Sequence, residues 1–301
     1  MNSFISRNIR RLKELLFYYS YIEDIGKTYN RNFLLKRNLT GARLVGKISK
    51  SLLEKGVDFR DLNSRAMLAY RLAALVKHKV LAPQVIPAKR ISGLDLADIS
   101  QRIDDLVFLT AFRGISVSEF LNHRQLSDII NLGEILDNLV FNIWIGNYDR
   151  KDGDYIVGDN QQVYFIDYHL CGPGFKSDYL LSLGAYGEAY SIDDPADTGW
   201  CIGSPILLQL VRDTKVPFEQ FLPMIKRIEG LRSAKISQAM RNLKFYDEHN
   251  EERIDGLFLD FLLKRRHLLR PAVKSWVEAA YPKGPRPKDP RREDNIYSHI
   301  L

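Results

Sequence analysis

The chain has 301 residues, of which 45% are hydrophobic and 11% aromatic, so it can bury a substantial core as one large domain or as two lobes. Its formal net charge of +7 favours acidic partners such as nucleotides and leaves nucleic acid or an anionic membrane surface as alternatives. The two cysteines exclude a disulfide scaffold, and no run of about 18 apolar residues could span a bilayer, so we expect a cytoplasmic protein.

The first 113 residues predict a helical extension followed by a small, β-rich lobe. In residues 1–17, apolar side chains recur close to helical spacing with arginines between them. Residues 18–113 alternate short apolar runs with turns, and Pro83 and Pro87 restrict one of these strands to a sheet edge. The predicted strands are Tyr18 to Ile25, Asn32 to Arg37, Arg43 to Ile48, Val85 to Arg90 and Asp104 to Thr110, and the predicted helix is Asp61 to Lys77.

Residues 114–281 change to a mainly helical pattern, which predicts a larger second lobe and an α+β fold class. The apolar stretch from Leu126 to Gly146 predicts one helix of about five turns that ends at the glycine. Residues 170–203 are glycine-rich and predict a loop region, and residues 282–301 predict a disordered tail. The other predicted helices are Ser118 to Leu121, 204–213, 217–229, 233–243 and 250–280.

Three aspartates give the strongest functional signal in the chain. Asp149 directly follows the long apolar helix, while Asp154 and Asp167 stand at the entrance and exit of a predicted hairpin, Tyr155 to Val157 with Val163 to Ile166. Carboxylates gathered at one end of a hairpin repel each other unless a cation lies between them. Such oxygen ligands suit magnesium and phosphoryl transfer. The alternative is an ordinary polar turn, because Asn, Asp and Gly are common turn residues.

The same segment resembles the catalytic core of the HipA-like kinases, a branch of the protein-kinase and phosphoinositide-kinase superfamily. The resemblance rests on Asn147-Tyr148-Asp149-Arg150 and on Phe165-Ile166-Asp167-Tyr168-His169, which are separated by the predicted strand pair. It covers about residues 25–270 and is strongest at 140–175. It implies a two-lobed protein-kinase-like fold, with the lobe boundary near residue 114.

The resemblance also implies roles for the three aspartates. Asp149 would be the catalytic residue that accepts the proton of the substrate hydroxyl, and Asp167 would bind the magnesium ion of the nucleotide. Asp154 stands where the family usually carries asparagine, and as an oxygen ligand it remains a predicted metal ligand. His169 is interpreted as a structural histidine rather than a base.

A kinase also needs a cationic side chain that holds the nucleotide phosphates. Lys47, in the third predicted strand, is the preferred candidate, and Lys36 and Lys50 are its competitors. Gly26 and Lys27 lie in the loop between the first two strands, which would cover the phosphates. With one glycine, this loop is far from a glycine-rich P-loop, and ordinary turn chemistry explains it equally well.

The adenine base is predicted to bind at the segment that connects the two lobes. Phe108, Thr110 and Phe112 lie in this segment, FLTAFRG, where backbone groups would hydrogen-bond the base and an aromatic ring would pack near it. The assignment follows from the order of the elements along the chain.

Together these features predict a kinase that uses ATP and magnesium and phosphorylates an alcohol group, with a protein serine or threonine preferred over a lipid or small molecule. One departure is that the predicted helix after Lys47 contains no glutamate; Glu54, Asp58 and Asp61 are the nearby acids. This departure, the poor glycine loop and Asp154 favour a pseudokinase or nucleotide-binding adaptor as the alternative. Nucleotide transfer to a protein and nucleic-acid binding through the basic termini are further alternatives.

Overall fold

A computed structural model describes residues 19–25, 31–48, 61–87, 90–93, 106–111, 114–147, 152–169, 171–173, 210, 215–246 and 252–280. These residues form two β-sheets and a set of helices, so the predicted α+β class is confirmed. The predicted N-terminal helix at 1–17, the predicted helix at 204–213 except residue 210, and the tail at 282–301 lie outside the described residues.

Short strands account for both sheets. The strands are β1 (Tyr19–Asp24), β2 (Arg31–Arg37), β3 (Arg43–Ile48), β4 (Pro83–Pro87), β5 (Ile91–Ser92), β6 (Leu106–Ala111), β7 (Gly114–Ser116), β8 (Tyr155–Gly158) and β9 (Val163–Phe165). One sheet has the order β4-β6-β3-β2-β1-β5, and the other has the order β7-β8-β9. All neighbouring strands pair antiparallel except β1 and β5, which pair in parallel.

Helices dominate the second half of the described chain. They are α1 (Leu62–Leu75), α2 (Val117–Leu121), α3 (Gly133–Ile145), α4 (Leu222–Glu229), α5 (Ser233–Met240) and α6 (Asp255–Ala280). Short 3-10 helices occur at Leu126–Asp128, Asp152–Asp154 and Phe218–Phe221. Within the described ranges, no helix combines the length and apolar character that crossing a bilayer requires.

The larger sheet follows the sequence pattern closely. β4 begins and ends with a proline and lies at an edge of the sheet, as predicted, because proline cannot donate a ladder hydrogen bond. Gly46 lies opposite Phe33, and a Cβ at position 46 would come within 2.2 Å of the Phe33 ring. A glycine therefore lets the buried Phe33 ring lie flat against β3. β5 was not predicted, because two residues carry no readable period.

The smaller sheet also contains a strand that the sequence pattern misses. β7 has three residues and pairs with β8, which extends the predicted hairpin to three strands. Gly114 has φ +155°, and a Cβ there would lie 1.9 Å from the carbonyl oxygen of Val157. The close approach of two backbones, rather than a period of apolar residues, specifies this strand.

The prediction of one helix from Leu126 to Gly146 is wrong at its N-terminal end. The chain forms a 3-10 helix at 126–128, and α3 begins only at Gly133. Between them, the Asn131 side chain accepts a hydrogen bond from Val163 N (2.7 Å) and donates one to Val163 O (3.1 Å). Fixing the chain to β9 in this way interrupts the helix. Its predicted end is correct, since Gly146 has the left-handed backbone of a C-cap (φ +63°).

One buried cluster joins the helices to the smaller sheet. It contains apolar residues of α1, such as Leu68 and Leu72, together with Phe141 and Trp144 of α3 and residues of α4, α5 and α6. The Trp144 Nε1–H donates to the carbonyl oxygen of Leu262 (3.0 Å), which ties α3 to α6. α1 is therefore part of the core that the later helices build, although it lies between β3 and β4 in the sequence.

Candidate active site

Asp154 and Asp167 lie at the same end of the β8–β9 hairpin. Tyr155 is paired with Phe165, and one step further the amide of Ile166 donates to the carbonyl oxygen of Asp154 (3.1 Å). Asp167 is the next residue. Asp154 is 5% exposed and the Asp167 side chain is 14% exposed, so both carboxyl groups lie near the edge of the core. The structure therefore brings together two of the three predicted acidic site residues.

The backbone of Asp167 has an unusual conformation. Its φ is +67°, in the left-handed region that residues with a Cβ seldom adopt. The imidazole Nδ1 of His169, two residues later, contacts the Asp167 Oδ1, and His169 itself is buried. The contact with His169 sets the direction of the Asp167 carboxyl group. The interpretation of His169 as a structural residue stays a prediction.

A buried polar network anchors the residue that follows Asp167. The Tyr168 hydroxyl donates to the Asn138 Oδ1 of α3 (2.6 Å), and the same oxygen lies 3.0 Å from the His78 Nε2. The His78 ring stacks on Phe165 with 4.7 Å between the ring centroids. The sequence interpretation missed His78 and Asn138. The available signal was an asparagine on the apolar face of a predicted helix, since a buried amide needs hydrogen-bond partners.

The exposed end of this network carries two acids with opposite pKa shifts. Burial raises the pKa of Glu134, but the hydrogen bond and charge of His78, with the charges of Lys79 and Arg227, outweigh burial and lower it overall. Burial raises the pKa of Asp137 above its ordinary value, and its ion pair with Arg227 offsets this only in part. The two acids lie three residues apart on α3.

Backbone hydrogen bonds fix the segment before Asp149 as far as Asn147. The amide of Asn147, which is fully buried, donates to the carbonyl oxygen of Asn142 (3.0 Å). Asn147 also forms an antiparallel bridge with Cys171, and the amide of Gly172 donates to the carbonyl oxygen of Gly146 (3.1 Å). The segments before and after the acidic hairpin therefore lie side by side. Asp149 follows Asn147 by two positions and lies outside the described residues.

Asp61 belongs to a buried ion pair and is thereby committed to a partner other than a strand lysine. Its Oδ2 accepts from the Arg65 Nε (2.9 Å) and from the amide of Tyr246 (2.9 Å). The side chains of Asp61 and Arg65 are 2% and 1% exposed. Of the three acids near the predicted lysine, Asp61 thus neutralises an arginine, and Glu54 and Asp58 lie outside the described residues.

Three of the predicted phosphate and base contacts lie in strands of the larger sheet. For Lys47, Phe108 and Thr110 the structure describes backbone positions, and Lys47 lies directly opposite Phe108 in the β3–β6 register. β6 pairs with β3 on one side and β4 on the other, so its backbone groups belong to the sheet ladder. A backbone contact to a base is therefore expected outside β6. Gly26, Lys27 and Phe112 lie outside the described residues.

The acidic pair has the donor chemistry that magnesium uses in nucleotide sites. Magnesium is commonly held there by one or two carboxylates, together with substrate phosphates and several waters. Asp154 and Asp167 supply two carboxylates at one hairpin end. No group of three or more His, Cys, Asp or Glu side chains suited to a metal ion occurs in the part of the chain that the structure describes. Asp154 and Asp167 are therefore candidate ligands for a magnesium ion that a nucleotide brings.

Neither a scan against protein-family models nor a search of curated proteins finds a match for this chain.

Proposed function

We propose that the protein is a phosphotransferase that uses ATP and magnesium, with a two-lobed, kinase-like fold of the HipA-like type. The observation that carries the proposal is that Asp154 and Asp167 lie at the same end of the β8–β9 hairpin, next to the hydrogen bond from the Ile166 amide to the Asp154 carbonyl oxygen. Both acids are only slightly exposed. The two residues thus supply carboxylate oxygens at one hairpin end. Carboxylates are the protein ligands that commonly hold magnesium together with substrate phosphates in nucleotide sites.

The three acids have two roles in the proposed reaction. Asp154 and Asp167 would hold magnesium, which neutralises charge on the phosphate oxygens when it is bound. Asp149, assigned through its motif, would accept the proton of the acceptor hydroxyl. The hydroxyl oxygen then forms a bond to the terminal phosphorus as the bond to the bridging oxygen breaks, and ADP leaves with that electron pair. A protein serine or threonine is the preferred acceptor, and a lipid or small-molecule alcohol is the alternative.

The larger sheet supports the proposed position of the phosphate-binding lysine. Lys47 lies in β3, an interior strand with β2 on one side and β6 on the other. The backbone of an interior strand is held by hydrogen bonds on both sides. It therefore fixes the position from which a side chain extends, which suits a group that must bind phosphates in one geometry. Gly26 and Lys27 remain proposed contacts in the loop between β1 and β2, and Phe108, Thr110 and Phe112 remain proposed neighbours of the base.

Nucleotide binding without phosphoryl transfer is the second candidate. It is favoured by the sequence of α1, which contains no glutamate, and by Asp61, whose carboxylate is engaged by Arg65. A lysine without an acidic partner is less well oriented, which would slow transfer while leaving nucleotide affinity largely intact. The two candidates differ in one measurable property, transfer of the terminal phosphoryl group.

The deciding experiment compares two isosteric variants of the acidic pair. Purified protein would be incubated with magnesium and ATP labelled in the terminal phosphate, and autophosphorylation and transfer to protein acceptors would be measured. We expect Asp167→Asn to lower transfer by at least about 10³-fold, since it weakens the principal metal ligand. Asp154→Asn should stay within about tenfold of the wild type, because the HipA-like pattern that the chain resembles usually carries asparagine at this position.

Calorimetry with magnesium and a nonhydrolysable ATP analogue separates the candidate functions. Binding accompanied by labelled product supports the phosphotransferase, whereas binding without product supports the nucleotide-binding adaptor. Wild-type transfer that persists in Asp167→Asn would contradict the assigned role of this residue. The absence of both binding and transfer in the folded wild-type protein would refute the proposal.

A further inference from the structure

Arg65, a buried arginine of α1, hydrogen-bonds to backbone carbonyl groups in addition to its ion pair with Asp61. The Arg65 Nη1 donates to the carbonyl oxygens of Cys171 (2.8 Å) and Pro173 (2.8 Å), and the Nη2 donates to the carbonyl oxygen of Tyr246 (3.1 Å). Asp61 binds the Nε side of the same guanidinium. One planar group thus joins α1 to two distant segments, and its rigid fork gives each contact a fixed direction.

The segment that Arg65 holds is also fixed by close packing. Gly172 has φ +89°, and a Cβ there would lie 2.0 Å from the Phe258 ring. The Arg65 guanidinium carbon lies 5.4 Å from the centroid of the same ring. The thiol of Cys171 contacts the Arg65 carbonyl oxygen (3.5 Å). Residues 171–173 are therefore held between Arg65 on α1 and Phe258 on α6.

Residues 171–173 are linked to two parts of the proposed active site, the Asp167 end of the hairpin and the end of α3. This segment begins two residues after His169, whose ring contacts the Asp167 carboxylate. Its Gly172 amide donates to the carbonyl oxygen of Gly146 at the end of α3. Asp167 is thus followed by a short segment whose carbonyl groups accept hydrogen bonds from Arg65.

We propose that Arg65, oriented by Asp61, is a positioning residue of the phosphotransfer site. It fixes residues 171–173. Through these residues it positions the backbone that carries Asp167 and the end of α3 at Gly146 and Asn147. The inference rests on the proposed function, because it concerns the geometry of the same reaction. α1 acts on the site through this arginine, by means of backbone carbonyl groups rather than by a contact with the nucleotide.

The chain offers a matched control on the same helix. The Arg71 Nη1 donates to the carbonyl oxygens of Ala239 (2.9 Å) and Arg241 (2.8 Å), so it also ties α1 to a distant segment by a backbone fork. These two carbonyl groups lie at the end of α5, so the hydrogen bonds of Arg71 do not involve the acidic hairpin or residues 171–173. Arg65→Lys and Arg71→Lys each keep the charge and remove the fork.

The test measures turnover and local backbone protection in both full-length variants. For Arg65→Lys we expect kcat to fall by about 10- to 100-fold with little change in the KM of the acceptor, since a small displacement of a reacting group has such an effect. Hydrogen exchange at 144–147 and 165–169 should become faster in Arg65→Lys. Arg71→Lys should keep wild-type kcat and wild-type exchange in these segments.

The outcomes separate this inference from the function on which it rests. A wild-type protein that transfers no phosphoryl group overturns both. An active wild type with equal losses of kcat in the two variants overturns the inference alone, because Arg65 would then act only through stability. Unchanged exchange at 144–147 and 165–169 in Arg65→Lys overturns it as well.

Discussion

Asp167 combines a left-handed backbone with a carboxylate near the edge of the core. An L-residue in this region costs about 1–2 kcal/mol relative to glycine, so the surrounding contacts must hold it there. Those contacts are the His169 imidazole on its side chain and the Tyr168 hydroxyl bound to Asn138. A strained residue that is held by its neighbours is typical of a position where side-chain direction matters for function.

The backbone conformation of Asp167 can be tested without reference to activity. Asp167→Gly and Asp167→Ala both remove the carboxylate, but glycine alone relieves the strain at φ +67°. We expect the glycine variant to have the larger free energy of unfolding, by about 1 kcal/mol, in urea titrations. Equal stabilities, or a more stable alanine variant, would show that this residue does not adopt the left-handed conformation in solution.

Helix α3 links the candidate site to the core along its whole length. Its Asn138 meets Tyr168, its Trp144 is bonded to α6, and its C-terminal glycine accepts from the segment after the acidic hairpin. The helix therefore fixes the candidate site from two points, the turn at Asp167 and the chain before Asp149. Its N-terminal half also carries the two acids with shifted pKa values.

Glu134 and Asp137 on α3 should give opposite contributions to the pH dependence of stability. The folded-state pKa of Glu134 is lowered, so its contribution is present above the ordinary value of 4.5 and is lost as the pH falls through the folded-state pKa. The pKa of Asp137 is raised above 3.8, so its contribution is present below 3.8 and is lost as the pH rises through the folded-state pKa.

Urea unfolding at a series of pH values between about 3 and 6 measures these contributions. Relative to the wild type, Glu134→Gln should lose less unfolding free energy as the pH falls below 4.5. Asp137→Asn should instead lose less as the pH rises above 3.8. Each variant serves as the control for the other, because they are neighbours on one helix. Slope changes of the same sign in both variants would contradict the assignment.

Helix α1 precedes the change from strands to helices in the sequence, but it packs in the core that the later helices form. Leu68 and Leu72 of α1 are fully buried in the cluster formed with α3, α4, α5 and α6. Arg65 and Arg71 of the same helix are bonded to backbone carbonyls at 171–173 and at 239 and 241. An early element thus contributes to a core that later elements complete, which couples their stabilities.

Leu72→Ala should therefore destabilise the helical part of the protein although it lies before residue 114. We expect a loss of about 2–5 kcal/mol in unfolding free energy, as for other fully buried leucines. The unfolding midpoint should shift equally by tryptophan fluorescence and by circular dichroism. Leu39→Ala, at a turn position that is 56% exposed, should change stability by less than about 0.5 kcal/mol. A fluorescence transition that stays unchanged in Leu72→Ala would show that α1 unfolds independently.

Local sequence patterns predicted the strands and helix ends that are specified by residues close together in the sequence. The strands of the larger sheet other than β5, the edge position of β4, the hairpin of β8 and β9, and the end of α3 at Gly146 all follow from side-chain period, proline and glycine. Errors arose where a distant group intervened, as when Asn131 binds β9 and delays the start of α3.

The amino-acid order alone thus specified the class of fold and the acids at one hairpin end, because alternation and turn residues act over short distances. The partners of Arg65, the His78–Asn138–Tyr168 network and the addition of β7 to the hairpin emerged only in the folded chain. Their acceptors are backbone carbonyls or single side chains up to 181 positions away, and a backbone carbonyl has no signature in sequence. The contacts that fix Tyr168 and residues 171–173, on the C-terminal side of Asp167, are therefore set by packing of remote segments.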